Sequence, residues 1–478
     1  MKEQEKFDRF IKRHPHPHVM FFNRPHISRR RFFEVLGAGV TGSYLVQRSA
    51  FADSSNVVVT PALPETPKNT AKNVIFILLA GAPSHVDTFD FKNTSGVTPA
   101  AAAPETINGI LWPTGILPNL ANNMKDFSIV RSMSSHALVH SLGQTWTQIG
   151  RNPAAALGNI APNIGSIVAI EKTPERVPSK VFPTFVALNS GGAAGSGYLS
   201  SAYAPFKVNP ATTGLPDTSN VDGSARMDQR WSLLHALDDP LRITSPLGKD
   251  VDDMDDFYTA AKGMMYNTAV SQAFSFAAAD STRYGVGGVA NGFGNACLVA
   301  KQILAADQGT RYIEITLGGW DMHQNIYGAG GNIKAGTNIF TLGNTLDAGL
   351  STLINDLKAA GLFDSTMIVM AGEFGRTVGP ITAAGGRDHF LHQFAFFAGG
   401  GVKGGQVIGS TDALGATTVN PGWSRQRDVN PEDIEATIYS AMGINWTNIR
   451  YDDPFGRGFE YVPFASTDTY GPINELWG

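Results

Sequence analysis

A single cysteine, Cys297, in 478 residues removes intramolecular disulfides and multi-thiolate metal sites from consideration. Its neighbours Ala296, Leu298, Val299 and Ala300 form an apolar helical stretch, the setting of a buried, inert thiol and not of a nucleophile. Charged side chains are scarce too, at 16% of the chain, and unevenly placed. Residues 1–52 carry ten Lys and Arg against four Asp and Glu, which leaves 27 basic and 37 acidic residues in the remainder, a net of −10 there. An acidic body without a basic stripe argues against nucleic acid as a partner. No later segment has about 18 uninterrupted apolar residues, so no transmembrane helix is expected in the mature chain. Internal repeats and coiled-coil heptads are missing as well. What is abundant is glycine, 52 residues, with 42% hydrophobic content, the composition of a folded, loop-rich globular protein.

The basic end has its own logic. Ser28-Arg29-Arg30-Arg31-Phe32-Phe33 precedes a weakly apolar, glycine-rich run from Val35 to Val46, followed by Ala50-Phe51-Ala52. Paired arginines, a modest apolar run and a small-x-small cleavage site, in that order, resemble a twin-arginine export signal over residues 1–52. The mature protein is then expected from near Asp53, in the periplasm, at the cell surface or secreted, with the twin-arginine translocase as a partner during export. That route carries folded cargo, often with metal already bound. Residues 53–73, rich in Pro, Thr and Ala, read as a linker.

From Val74 to Leu79 the chain is continuously apolar, as a strand buried on both faces requires. Similar runs recur at Ser128 to Val130, Phe182 to Leu188, Tyr312 to Leu317, Met367 to Met370 and Phe394 to Ala398. Helical stretches lie between several of them. Asn344 to Ala360 places Leu346, Leu350, Leu353, Ile354 and Leu357 at three- and four-residue spacing, with Gly361 positioned to end the helix. Pro431 to Ala441 reads as a terminal helix, with Glu432 and Asp433 suited to its positive end. Strands alternating with amphipathic helices predict an α/β fold with a mostly parallel sheet covered on both faces. Residues 189–262 break the pattern with Gly, Ser, Pro and Asp clusters, and are expected to form a loop-rich insertion or cap within a domain spanning 74–478.

Open parallel sheets bind ligands beyond the carboxyl ends of their strands. The residues at those positions are rich in donors: Ser84, His85, Asp87 and Asp90 after the first strand, and His136, His140 and Ser141 after the second. Asp321 and His323 follow the strand at Tyr312, Glu373 and Arg376 follow the one at Met367, and Asp388-His389 leads into the one at Phe394. Six of the seven histidines beyond residue 52 (His85, His136, His140, His323, His389, His392) fall in such segments, and only His235 falls elsewhere. Asp321 and His323, two apart in an extended segment, point the same way, and Asp388-His389 offers adjacent oxygen and nitrogen donors. Imidazole with carboxylate suits zinc, manganese or iron(II), and calcium only where oxygens dominate. Each residue also has a plain structural role open to it: His85 or Asp87 capping a helix, Glu373 pairing with Arg376, His392 in the core. The convergence of several loops favours a shared metal or anion site.

These segments resemble the exported bacterial family catalogued as domain of unknown function 1501, placed in the alkaline phosphatase and sulfatase superfamily. The resemblance is carried by Gly81 to Asp90, Arg131-Ser132-Met133, His140 to Gly150, Gly197 to Phe206, Gly318 to His323, Glu373 to Thr377, Gly386 to His389 and Gly399 to Asp412, in order along most of the mature chain. It implies an alkaline-phosphatase-like sandwich and one or two divalent metals, zinc, manganese or calcium. Asp321 and His323 look like the superfamily's Asp and His pair, and His389 like its last histidine. Glu373-Phe374 stands where an Asp-His dipeptide belongs, so one imidazole is missing, with Asp388 or His85 as its replacement. Ala80-Gly81 stands where the first Asp belongs, leaving Asp87 as a displaced substitute. His140 falls at the nucleophile position with Ser141 beside it. The implied activity is metal-dependent hydrolysis of phosphate or sulfate esters, on an anionic small molecule or an extracellular glycan. Ser141 or water would attack, with His140 as base or ligand and Arg376 steadying negative charge. The alternative is a non-catalytic, metal-containing binding or envelope protein on a degenerate version of the fold.

Overall fold

The computed structural model describes residues 58–61, 65–177, 179–216, 218–219, 221–242, 249–285, 292–328 and 337–478. Residues 1–52, where an export signal is expected, and part of the expected linker lie outside the described residues. Within the linker, Val58–Val59 pairs antiparallel with Ile449–Arg450.

One eight-stranded sheet organises the rest. In chain order its strands are β1 (Asn73–Leu79), β2 (Phe127–Ser134), β3 (Phe185–Leu188), β4 (Phe206–Val208), β5 (Tyr312–Thr316), β6 (Thr366–Gly372), β7 (His392–Ala398) and β8 (Gln406–Ile408), and their spatial order is β8-β2-β7-β6-β1-β5-β3-β4. All pair in parallel except β7, which runs antiparallel to both β6 and β2. Central strand β1 is buried along its whole length, which is why its sequence does not alternate with polar residues.

The helices named here are α1 (His140–Ile149), α2 (Ile164–Lys172), α3 (Gly223–Arg242), α4 (Lys249–Met264), α5 (Phe293–Ala306), α6 (Ile339–Ala359) and α7 (Pro431–Ala441). Val74, Phe76 and Leu78, on one face of β1, share a core with Ile164, Ile167 and Val168 of α2 and Ile434, Ile438 and Tyr439 of α7. On the opposite face Ile75, Ile77 and Leu79 are equally buried, and there α5 contacts β5 and packs against α6. Burial of each such side chain contributes about 1.5–3 kcal/mol, so these two layers fix the sheet. Cys297 lies inside α5, and burial pushes its thiol above the ordinary range, as expected of an inert residue.

The stretch 189–262 differs from its loop-rich expectation. It contributes edge strand β4, and from Gly223 it is mostly helical, as α3 and α4. Sequence periodicity missed α3 because its apolar residues do not form a buried stripe: Leu233, Leu234 and Leu237 are all exposed. Among the described residues no helix is long and apolar enough to cross a membrane.

Candidate metal centre at the carboxyl end of the sheet

Because β7 runs opposite to its neighbours, its beginning lies at the same edge as the ends of β1, β2, β5 and β6. Part of the predicted donor set therefore meets there, and glycine makes the meeting possible. Gly81 follows β1 at φ +105°, and a Cβ on it would lie 2.6 Å from the amide of Asp321. Its N–H donates to Glu373 Oε1 at 2.8 Å, and its carbonyl accepts from Arg376. Gly386 lies as close against His323: a Cβ there would stand 2.0 Å from the His323 carbonyl carbon.

Four side chains converge: His140, Asp321, His323 and His389 each offer one donor atom, and all four atoms lie within 4.8 Å of one another. Asp321 Oδ1 is 3.1 Å from His140 Nε2, 2.9 Å from His323 Nε2 and 3.9 Å from His389 Nε2. The Nε2 atoms of His323 and His389 are 3.1 Å apart. Every Nδ1 in the trio is taken up from behind. That of His140 meets Glu373 Oε1 at 2.7 Å, that of His323 meets Asp388 Oδ1 at 2.9 Å, and that of His389 meets the Leu138 carbonyl at 2.7 Å. Carboxylates and carbonyls only accept, so each Nδ1 carries the hydrogen and each Nε2 turns a lone pair toward the others and toward Asp321. Lone pairs facing lone pairs and a carboxylate repel unless a cation or proton lies among them, and the Arg376 guanidinium meets this need at Asp321 and, at 3.3 Å, at His323 Nε2 but not at His140. His140 Nε2 illustrates the point: it is buried, and its angle to Asp321 makes no hydrogen bond. Three ring nitrogens aimed inward, that of His140 without a hydrogen-bond partner, and ring backs held in place are an arrangement that suits metal binding. The donor set fits a divalent ion.

Glu373 is buried behind this group, where Oε1 also accepts from Gln144 at 3.0 Å. Its hydrogen bond, opposed by partial burial, raises the His140 pKa above the ordinary imidazole value. Burial lowers that of His389, with the nearby Arg376 charge adding to the effect. For Asp321 burial pushes upward, but the hydrogen bond and charge of Arg376 outweigh it and hold the carboxyl below its usual range. Arg376 is itself buried. It donates from Nε to the Ala82 carbonyl at 2.9 Å and, through its terminal nitrogens, to the carbonyls of Arg387 and Gly81 and to Asp321 at 2.7 Å. One of its terminal nitrogens also lies 3.3 Å from His323 Nε2, so its charge reaches the site directly as well as through Asp321.

Ser141 sits exposed in the first turn of α1, directly after His140, and the α1 N-terminus has no side-chain cap. The other predicted residues lie apart. His85 is buried, its Nε2 2.9 Å from the Gly415 carbonyl, and its ring stacks on Phe390. Asp87 is buried in an ion pair with Arg387 at 2.7 Å. His392 is in the core with Nε2 2.8 Å from the Arg131 carbonyl, and His136 pairs with Glu432 at 3.2 Å. Sequence reasoning gave Arg387 no role although it adjoins Asp388-His389, and Tyr327, which donates to Asp87 at 2.6 Å, stands in no motif that marks it.

A family model described as "Protein of unknown function (DUF1501)" matches residues 71–463. No curated protein matches the chain. Solved structures similar over most of its length include the lipoteichoic acid synthase LtaP from Listeria monocytogenes, 12% identical, covering 85% of this chain and 79% of that one with a TM-score of 0.36. PsFucS1 sulfatase from Pseudoalteromonas sp. is 13% identical, covering 80% and 68% with a TM-score of 0.35. The alkaline phosphatase of the Antarctic bacterium TAB5 is 16% identical, covering 72% and 95% with a TM-score of 0.32.

Proposed function

The chain belongs to the DUF1501 family, and from that premise we propose that it is an exported, metal-dependent hydrolase of phosphate or sulfate esters. The observation that carries the reading is the inward-facing Nε2 trio of His140, His323 and His389 with Asp321. Three nitrogens and one oxygen favour zinc, manganese or iron(II) over calcium, which prefers oxygen. When bound there, such an ion supplies Lewis-acid polarisation of an ester oxygen and lowers the pKa of water. The chain's own residues do the rest. Glu373, Asp388 and the Leu138 carbonyl hold the rings in one tautomer, and Arg376 keeps Asp321 ionised and fixed. The uncapped N-terminus of α1 directs backbone N–H groups and the positive end of a helix dipole at an incoming anion, next to His140. Ser141 stands in that same turn as the candidate nucleophile, with water as the other. The ester class follows from the sequence resemblance to the alkaline phosphatase and sulfatase superfamily, and the arginine pair with its apolar run supports export through the twin-arginine translocase to the periplasm or cell surface. An extracellular glycan ester is the substrate this address suits.

The test is metal content per chain, measured on mature protein purified without chelators or added histidines, followed by turnover of aryl phosphate and aryl sulfate. Bound transition metal and release of phosphate or sulfate are expected. Ser141→Ala should abolish turnover with metal retained if serine attacks, and leave turnover in place if water does. Absence of metal after reconstitution with zinc, manganese and calcium would sink the proposal.

A further inference from the structure

We infer that Arg387, locked to Asp87, is a positioning residue for the four-donor group: it sets where Asp321, His323 and His389 stand without itself facing the ion. The inference rests on the metal reading above. Both partners are buried, with side chains 2% and 1% exposed, so neither has water as an alternative partner. Apart from Ser84, every side-chain contact of the pair falls on a loop that supplies a donor. Asp87 belongs to the short 3-10 turn His85–Asp87 after β1, and its Oδ2 accepts from Arg387 Nε at 2.7 Å and from Ser84 Oγ at 2.6 Å. Its Oδ1 accepts from Tyr327 Oη at 2.6 Å, four residues beyond His323. With both oxygens used, Asp87 acts as the anchor of a guanidinium fork.

The fork spans the loop between β6 and β7. One terminal nitrogen of Arg387 donates to the carbonyls of Thr377 and Gly379, both at 2.9 Å, and the other lies 3.3 Å from Tyr327 Oη. The backbone of Arg387 is the part that reaches the donors. Its N–H donates to the carbonyl of Met322, the residue between Asp321 and His323, at 3.0 Å. Its carbonyl accepts from Arg376, which in turn holds Asp321. The next two residues are Asp388, behind His323, and His389 itself. A shift of the Arg387 main chain therefore moves three of the four donors at once. Lysine keeps the charge but has no planar fork, so it cannot satisfy Asp87, Thr377 and Gly379 together.

The experiment compares Arg387→Lys with Arg427→Lys in the full mature chain. Arg427 makes a similar two-point pair with Asp433 of α7, at 2.7 and 2.8 Å, and has no hydrogen bond to the donor group. Cobalt(II) serves as the probe, read by titration and visible absorption, alongside melting temperature and histidine ring resonances of metal-free protein. Arg387→Lys should weaken cobalt binding by about 10–100-fold, the range of residues that orient metal ligands, and alter the absorption bands. It should also shift the ring signals of His323 and His389, whereas Arg427→Lys lowers the melting temperature and leaves all three readouts in place. Cobalt affinity within about threefold of the wild type for Arg387→Lys, with unmoved ring signals, would overturn the inference. A wild type that binds no cobalt would remove the metal reading, and the ring signals would still decide the positioning role. If Arg387→Lys does not fold, Tyr327→Phe, which takes one hydrogen bond from Asp87 and spares the ion pair, should move the same readouts less far in the same direction.

Discussion

The loops that bear His140, His323 and His389 and the segments that bear His85, His136 and His392 stand at one edge of one sheet, yet they spend their imidazoles in opposite ways. In the first set Nδ1 is held by Glu373, Asp388 or the Leu138 carbonyl and Nε2 faces the other donors. In the second set Nε2 is the atom that meets the protein, at the Gly415 carbonyl, Glu432 or the Arg131 carbonyl. Position at a strand end brought all six near the place where ligands bind. Which ring nitrogen the scaffold consumes separates a candidate ligand from a tie between loops.

The sharpest way to break this comparison is to delete one histidine from each set. His389→Ala should lower metal affinity by more than about 100-fold with little change in the melting temperature of metal-free protein. His85→Ala should do the reverse, keeping metal while losing about 2–4 kcal/mol of stability from a fully buried ring. Equal loss of metal in both would erase the distinction. Calorimetric titration and thermal melts decide it.

A smaller effect grades the residues behind the rings. Glu373→Gln replaces a buried acceptor used at once by His140, Gly81 and Gln144, and should cost roughly 10–100-fold in metal affinity. Asp388→Asn, at a well-exposed side chain, should cost about tenfold or less. A reversed order would mean that Asp388, and not Glu373, carries the orientation.

The smallest effect is in pH. Burial lowers the pKa of His85 to about 4, so below pH 6.5 the unfolded chain binds a proton that the folded chain refuses, and stability falls as pH falls through that window. The loss should reach about 1 kcal/mol at pH 5.5, and His85→Phe should remove it. His140 has the opposite sign. Glu373 raises its pKa, so its contribution is complete at acid pH and declines as pH rises through the raised value. Denaturant melts of metal-free wild type, His85→Phe and Glu373→Gln at pH 5.5 and 7.5 separate the two.

Much of this was legible in the sequence because the sheet is buried on both faces. Runs such as Val74 to Leu79 are then apolar without interruption, and chain order alone brings Asp321, His323, Glu373 and His389 to one edge. Helix α7 occupies the stretch Pro431–Ala441 that its first-turn residues announced. What escaped was direction. Whether His85 turns into the core or toward Asp321 depends on a three-residue 3-10 turn, and nothing in residues 81–90 encodes that turn visibly. Helix α3 escaped for a related reason, since a helix without a buried stripe leaves no period to read.

The lone reversed strand has a consequence of its own. Since β6 and β7 are antiparallel neighbours, residues 373–391 form a hairpin loop that leaves from the site with Glu373 and Arg376 and returns to it with Asp388 and His389. Gly375 and Arg376 pair with Phe390 and His389 across its neck. The loop is therefore an exchangeable cassette with a fixed clasp: its tip can lengthen at an entropic cost of only about 0.6 kcal/mol per doubling. Transplanting it whole between relatives would carry across one ring donor, two ring holders and the arginine that steadies Asp321 in a single graft.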